Sequence, residues 1–209
     1  MQIAPSQKRL RDGNQCGTPA PKRLLDILTA LATLTLGLPI LCLIGLAVAL
    51  ESRGPILYSQ ERVGLNGRIF RMYKFRSMVP DAERECGPVW CSEDDPRVTR
   101  VGWILRRTHL DELPQVLNVL CGEMSIVGPR PERPEFVQRF KRDIPGYMQK
   151  HLVKAGITGW AQVNDLRGDT NLEQRIQYDL YYIENWSVWF DLRIIGLTLL
   201  HIARSKHAY

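Results

Sequence analysis

The chain has 209 residues, enough for one ordinary domain or one domain with a membrane element, and too few for two full-sized folds. With 24% charged and 8% aromatic residues and a mean hydropathy of -0.19, it is on average a soluble globular chain, which excludes a polytopic membrane protein. The net charge of +6 is concentrated at the start, where Lys8, Arg9, Arg11, Lys22 and Arg23 face only Asp12 within the first 23 residues. Such an arm suits nucleic acid, but beside a hydrophobic stretch it reads as contact with anionic lipid head groups on a cytoplasmic face. Five cysteines (Cys16, Cys42, Cys86, Cys91, Cys121) make no CxxC pair and no zinc-ligand spacing, so reduced thiols in a cytosolic soluble part are expected.

Residues 27 to 50, ILTALATLTLGLPILCLIGLAVAL, are 24 consecutive positions without a charge. As a straight helix they would rise about 36 Å and cross a hydrocarbon core of about 30 Å. Pro39 cuts the run at its midpoint into arms of about 18 Å each, and Gly37 weakens the helix further. A kinked spanning helix and a re-entrant helix-break-helix both fit. Positive charge on both flanks, Lys22 and Arg23 before and Arg53, Arg62, Arg68 and Arg71 after, favours the re-entrant form with both ends cytoplasmic.

Next, 55 to 60 (PILYSQ) and 69 to 77 (IFRMYKFRS) read as strands joined through Leu65-Asn66-Gly67-Arg68, a strong hairpin signal. Alternation places Phe70, Met72, Lys74 and Arg76 on one face, with the two cations about 7 Å apart, a spacing that suits a diphosphate or a solvated basic face. Residues 79 to 94 read as a loop or irregular helix. Asp95-Pro96 resembles a helix start, with Val98, Val101 and Leu105 as an apolar stripe and Arg97, Arg100, Arg106 and Arg107 left for solvent, phosphate or lipid.

Leu110-Asp111-Glu112-Leu113-Pro114-Gln115 most resembles an active site. Leu113, Val116, Leu117 and Leu120 keep helical spacing, which puts Asp111 at or near an N-cap where the helix dipole would keep it ionised. A plain capping role is one account. The other is that two adjacent acids between Arg-rich helices serve a divalent cation and a phosphorylated substrate together. In Gly128-Pro129-Arg130-Pro131, proline on both sides fixes the backbone around Arg130, either as a rigid turn or as a preorganised phosphate or nucleobase ligand. Glu132 to Arg142 reads as a short amphipathic helix burying Phe136, Val137 and Phe140. Residues 156 to 164 (GITGWAQVN) read as a loop whose Thr158, Gln162 and Asn164 face a ligand or simply form a turn. Six of seventeen aromatic residues fall between Tyr178 and Phe190, before the apolar Ile194 to Leu200, a composition that fits an interfacial helix or a core helix.

Taken in order, GPILYSQERVG, KFRSM, DPRVTRVGWILRRTHLDELPQVLNVL, GEMSIVGPRPE, AGITGWAQVN and YDLYYIENWS resemble the bacterial sugar transferases that are monotopic polyprenyl-phosphate phosphoglycosyl transferases, over residues 22 to 209. The resemblance implies an α+β, mostly helical fold: a basic tail over 1–21, a re-entrant membrane helix-break-helix over 22–52, and a small cytosolic catalytic domain over 53–209 with a β-hairpin and interfacial amphipathic C-terminal helices. It implies transfer of a sugar 1-phosphate from a UDP-sugar to undecaprenyl phosphate with release of UMP, on the cytoplasmic face of the inner membrane, at the start of exopolysaccharide or other surface-glycan synthesis. Mg2+ is the implied cofactor, held by Asp111 and Glu112. Asp111 is the implied nucleophile of a covalent phosphosugar intermediate and Glu112 the second acid of the dyad. Lys74, Arg76, Arg106, Arg130 and Gln162 are the expected substrate-binding residues. Membrane lipid is an expected partner and nucleic acid is not, with a homodimer left open. Leu38 stands where the family usually has Ser before the breaking proline, and His109 where a small hydroxyl residue often precedes LDELPQ. Without the large N-terminal extension of many relatives, a stand-alone catalytic unit is expected. A non-catalytic membrane-anchored assembly protein and a lipid-linked phosphatase using Asp111 are the competing readings.

Overall fold

The structure is a computed structural model and describes residues 18–82, 84, 87, 95–166 and 170–204, without the side chains of the last two. The basic tail up to residue 17 and most of 83–94 lie outside the described residues.

Among the described residues the chain is mostly helical with two small sheets. It opens with α1, Ala20–Glu51, in which Pro21 sits in the first turn, where a missing N–H is harmless. The break expected at Pro39 is not present in the secondary structure, since α1 runs through it as one 32-residue helix. A single interior proline costs about 3 kcal/mol, and long apolar helical arms on either side outweigh that.

Both ends of α1 are fastened to the rest of the chain. At the start, a stripe at i, i+4 spacing faces inward: Lys22, Asp26 and Ala30 are buried and Leu34 is partly so. At the end, Ile44 and Val48 pack on Phe75 and Leu105. Arg76 closes the last turn, donating to Val48 O (3.2 Å) and Ser52 O (2.6 Å), where the helix leaves carbonyls without intrahelical donors. In between, Leu36, Leu38, Ile40 and Leu43 are exposed, Leu36 by 81%. This is the only helix among the described residues that is long and apolar enough to cross a membrane.

The hairpin forms as expected. Strands β1, Leu57–Val63, and β2, Ile69–Phe75, pair antiparallel from Leu57↔Phe75 to Val63↔Ile69, with Asn66 (φ 54) and Gly67 (φ 74) taking the left-handed turn. Helix α2, Arg100–Arg107, starts later than expected. Thr99 caps it by accepting from Gly102 N (3.0 Å), while the Asp95 carboxylate folds onto Arg97, accepting from its N (3.0 Å) and Nε (2.8 Å). A side chain at Gly102 would place its Cβ 2.0 Å from Ser77 O, so α2 can lie against the strand extension only with glycine there.

Helix α3, Gln115–Cys121, ends at left-handed Gly122 and leads into β3, Met124–Val127. A parallel partner, β4, Ala155–Thr158, occupies the start of the segment expected as a loop. Four residues with a glycine among them carry too little pattern to reveal a strand, yet the glycine is what permits it: a Cβ on Gly156 would lie 2.1 Å from Gly128 N. Helix α4, Pro134–Asp143, buries Val137 and Phe140 as expected. The aromatic run falls in α5, Leu172–Glu184, and α6, Val188–Arg204. Tyr182 is core, whereas Trp189 is 81% exposed, so the segment serves the core on one side and the surface on the other.

The main core gathers Phe70 and Met72 from β2, Val116 and Val119 from α3, Met124, Ile126 and Val127 from β3, Tyr182 from α5 and Ile194 from α6. The start of α1 enters this core through charge. Lys22 Nζ donates to Asp191 Oδ2 (2.8 Å), Tyr182 OH (2.9 Å) and Val127 O (2.9 Å), and Tyr182 OH donates to Asp191 Oδ1 (2.7 Å). Arg23 donates to Val119 O (2.6 Å) and Leu120 O (2.8 Å) at the end of α3. Lys22 and Arg23 therefore do not serve lipid head groups, because the helix stripe that carries them turns toward the domain.

Removing Lys22 leaves Asp191 buried without its cation, so Lys22→Met is expected to lower unfolding stability in detergent by about 3–5 kcal/mol. Adding Asp191→Asn should restore part of that loss; if the double variant unfolds no later than the single one in a thermal scan, the pair is not the fastening contact.

Candidate active site

Asp111 and Glu112 lie on a short 3-10 turn, Leu110–Glu112, between α2 and α3. The turn exists because His109 adopts a left-handed conformation (φ 57, ψ 15), which ends α2 and redirects the chain. Helix α3 begins only at Gln115, with Pro114 before it, so Asp111 is not the N-cap the apolar spacing implied. Both acids are buried, at 6% and 9% exposure.

Their surroundings differ sharply. Glu112 accepts three charge-assisted hydrogen bonds: from Lys74 Nζ to Oε1 (2.7 Å), from Arg130 NH2 to Oε1 (2.7 Å) and from Arg130 NH1 to Oε2 (3.2 Å). Burial works to raise its pKa, but Arg130 and Lys74 outweigh that and hold the carboxyl well below its ordinary range. Asp111 accepts no side-chain hydrogen bond among the described residues. Burial pushes its pKa up, Glu112 adds to the rise, and Lys74, Arg106 and Arg130 offset only part, leaving it at about 6. The dipole argument for a fully stabilised Asp111 anion thus fails, because no helix N-terminus is there to supply it and desolvation dominates.

The structure gathers Lys74, Arg106 and Arg130 around the acid pair. Arg106 also donates from Nε to Ser77 Oγ (2.9 Å), and Glu112 makes Arg130 harder to deprotonate than a free arginine. Arg76 is occupied elsewhere. Arg76 is 7% exposed and its NH groups hold the end of α1, donating also to Pro55 O (2.6 Å); the strand ends at Phe75, so the alternation that paired it with Lys74 no longer applies. Gln162 donates to Ile157 O of β4 (3.2 Å), Asn164 donates to Trp160 O (2.7 Å), and Thr158 of β4 bonds Thr198 of α6 (2.7 Å).

Sequence reasoning missed Asn118. Its side chain accepts from Tyr73 N (3.1 Å) and donates to Arg71 O (2.7 Å), satisfying the open edge of β2 next to Lys74. An asparagine interrupting an otherwise apolar helix stripe is the signal the sequence offers, and the structure buries it fully. Arg130 is presented by a turn fixed on both sides, with Gly156 N donating to Pro129 O and Val63 N to Glu132 O, both at 2.9 Å.

For a metal, no group of three or more His, Cys, Asp or Glu residues gathers among the described residues. Two adjacent carboxylates nevertheless fit Mg2+, which takes one or two carboxylates and fills its shell with water and substrate phosphates. Asp111, with unfilled acceptor capacity, is the more open of the two.

The model of the bacterial sugar transferase family matches residues 18–205. The chain belongs to the bacterial sugar transferase family. Among its relatives, the UDP-glucose:undecaprenyl-phosphate glucose-1-phosphate transferase of Escherichia coli (strain K12) is 48% identical over 192 residues, covering 90% of this chain and 41% of that protein. The UDP-N-acetylgalactosamine-undecaprenyl-phosphate N-acetylgalactosaminephosphotransferase of Aeromonas hydrophila is 44% identical over 199 residues, covering 89% and 46%. The exopolysaccharide production protein PSS of Rhizobium leguminosarum bv. phaseoli is 42% identical over 193 residues, covering 88% and 96%. The chain spans about two fifths of the length of the first of these relatives and nearly all of the last.

In this family member the buried Asp111 anion carries a cost that protonation removes. Below about pH 4 both folded and unfolded chains hold the proton; between 4 and about 6 the folded chain holds it more firmly, so stability falls as pH rises, and above 6 the penalty is complete. Asp111→Asn is expected to unfold at equal stability near pH 4 and to be more stable by on the order of 1–3 kcal/mol at pH 7.5. An unchanged difference across that range, followed by denaturant titration, would show that Asp111 is not the strained acid.

Proposed function

We propose that this chain transfers a sugar 1-phosphate from a UDP-sugar to undecaprenyl phosphate, releasing UMP and initiating synthesis of an exopolysaccharide or other surface glycan. The observation that carries the proposal is the unequal acid pair. One carboxylate, Asp111, is strained, accepts no side-chain hydrogen bond among the described residues and faces three cations, while its neighbour Glu112 holds two of those cations in place. Relatives named as transferases acting with undecaprenyl phosphate support the same chemistry.

In the proposed reaction an Asp111 carboxylate oxygen attacks the phosphorus next to the sugar. The bond from that phosphorus to the bridging oxygen breaks, and UMP departs with the electron pair. The resulting acyl phosphate joins the sugar phosphate to Asp111. A phosphate oxygen of undecaprenyl phosphate then attacks the same phosphorus, and the Asp111 carboxylate leaves as it began. Lys74, Arg106 and Arg130 stabilise the negative charge of the diphosphate as it builds on the leaving oxygen. Mg2+, held by Asp111 with Glu112 beside it, would supply further charge neutralisation. Burial serves this chemistry, because a desolvated carboxylate is a stronger nucleophile than a hydrated one.

Anchoring of both ends of α1 supports a seat in which both ends stay on the cytoplasmic side. An unbroken helix whose first and last turns are both fixed to one water-exposed domain keeps its two ends on that domain's side of the bilayer, with the exposed leucines between them against lipid. Cysteines placed in the N-terminal tail and at Asn66 are expected to react with an impermeant reagent from the same side of sealed vesicles. Labelling from opposite sides would require a spanning helix.

The reaction itself is tested by UMP release from a panel of UDP-sugars with undecaprenyl phosphate and Mg2+. Wild type should turn over at least one donor, with kcat/KM falling toward acid pH because the nucleophile gains a proton. Asp111→Asn and chelation of Mg2+ should each abolish release. Full activity in the Asn variant rules out the covalent route, and release of inorganic phosphate in place of UMP indicates a phosphatase.

A further inference from the structure

Behind the acid pair lies a second set of buried charges. Glu132, directly after the Pro-Arg-Pro turn, is 6% exposed, and its carboxylate sits between two arginines: Arg175 NH2 at 3.4 Å from Oε1 and Arg62 NH1 at 4.0 Å from Oε2. Arg175, on α5, is 3% exposed. Arg62, near the end of β1, donates from NH1 to Pro131 O (3.2 Å) and from NH2 to Gln60 Oε1 (2.6 Å). Val63, next to Arg62, and Ile176, next to Arg175, belong to one buried apolar cluster with Val137, Phe140 and Tyr147.

Stability does not explain it. A buried Arg–Glu–Arg group replaced by apolar side chains of similar volume is often as stable or more so, because desolvating three charges costs about what their attraction returns. What the group does achieve is local order. The two carbonyls that follow Arg130 are both held by β1, Pro131 O by the Arg62 side chain and Glu132 O by Val63 N, while the carbonyl before Arg130 is held by Gly156 of β4. The Arg130 backbone is thereby clamped between the hairpin and the parallel sheet, and its guanidinium reaches Glu112 with both NH groups. Like charge acts in the same direction: burial, together with repulsion from Arg130, pushes the Arg62 guanidinium down to about 10 against the pull of Glu132 and Glu112, so the two arginines disfavour closer approach.

We propose that Arg62, Glu132 and Arg175 form a positioning triad that fixes Arg130 for its work on the substrate diphosphate. None of the three touches the acid pair through a hydrogen bond; they act through the turn. The inference rests on the proposed role of Arg130 in sugar-phosphate transfer.

The test is a cycle on the full chain in detergent, measured as kcat/KM for UMP release from the UDP-sugar that wild type uses. Two triad variants are made, Arg62→Lys, which keeps charge and loses the fork, and the apolar replacement Arg62→Met with Glu132→Leu and Arg175→Met. Each is made alone and together with Arg130→Ala. In the Arg130 background, Arg62→Lys should lose about tenfold, and the apolar triple about tenfold to a hundredfold while unfolding no earlier than wild type. In the Arg130→Ala background the same changes should cost less than about twofold, because the residue they position is gone. Equal losses in both backgrounds, or no loss in either, overturn the triad. If the apolar triple fails to fold, Arg62→Lys decides alone by the same comparison. The two proposals fail separately: unchanged kcat/KM in Arg130→Ala removes the role of Arg130 itself, whereas a loss there with fully active triad variants removes only the triad.

Discussion

Everything in this molecule depends on how charged side chains fasten the two ends of one apolar helix. Lys22 reaches Asp191 and Arg76 reaches the last carbonyls of α1, and each contact joins segments far apart in sequence. The apolar packing of the helix comes from Ala30, Leu34, Leu41, Ile44 and Val48, five residues of modest size against a row of outward-facing leucines. Hydrophobic burial cannot orient a helix whose apolar residues lie on every side, since it has no preferred face. Buried ion pairs and capped carbonyls are directional, and they choose the face.

The same logic sets the chemistry of the acid pair. Two adjacent carboxyls of ordinary and similar acidity become unlike because only one of them has partners. Glu112 takes both NH groups of Arg130 and the ammonium of Lys74, and so stays ionised at little cost. Asp111 is buried with charge nearby and no side-chain donor among the described residues, which makes its anion costly. The arrangement comes from two neighbouring elements: the left-handed His109 places the turn, and Asn118 anchors the strand that delivers Lys74.

Much of this was legible in the sequence, and the limits have physical causes. Asn66-Gly67 announced the hairpin because few residues tolerate its backbone, and the apolar period of Pro134 to Asp143 announced α4. Asp111, Glu112 and Arg130 stood out because acids beside proline-framed arginine are rarely decorative, and Lys74 because strand alternation held up to Phe75. Arg76 was misplaced since alternation stopped one residue earlier than assumed. For Lys22 and Arg23 the sequence shows that a charge flanks an apolar run but not which way the helix is rotated, so it points to lipid where the fold points to the domain. The strand β4 was hidden because its signal is the absence of side chains at Gly128 and Gly156, which local pattern reads as a loop.

One modest contact has a wide reach. The Glu51 carboxylate, on the last residue of α1, accepts from Val101 N (3.0 and 3.2 Å) in the first turn of α2, and α2 runs seven residues on into the turn that bears Asp111. Arg76 makes the matching connection two residues beyond Lys74. Both halves of the acid-and-cation site are therefore rigidly mounted on the end of the apolar helix. Any shift of that helix would therefore carry the site with it, so the depth taken by the helix in a bilayer would set the height of the site above the hydrocarbon.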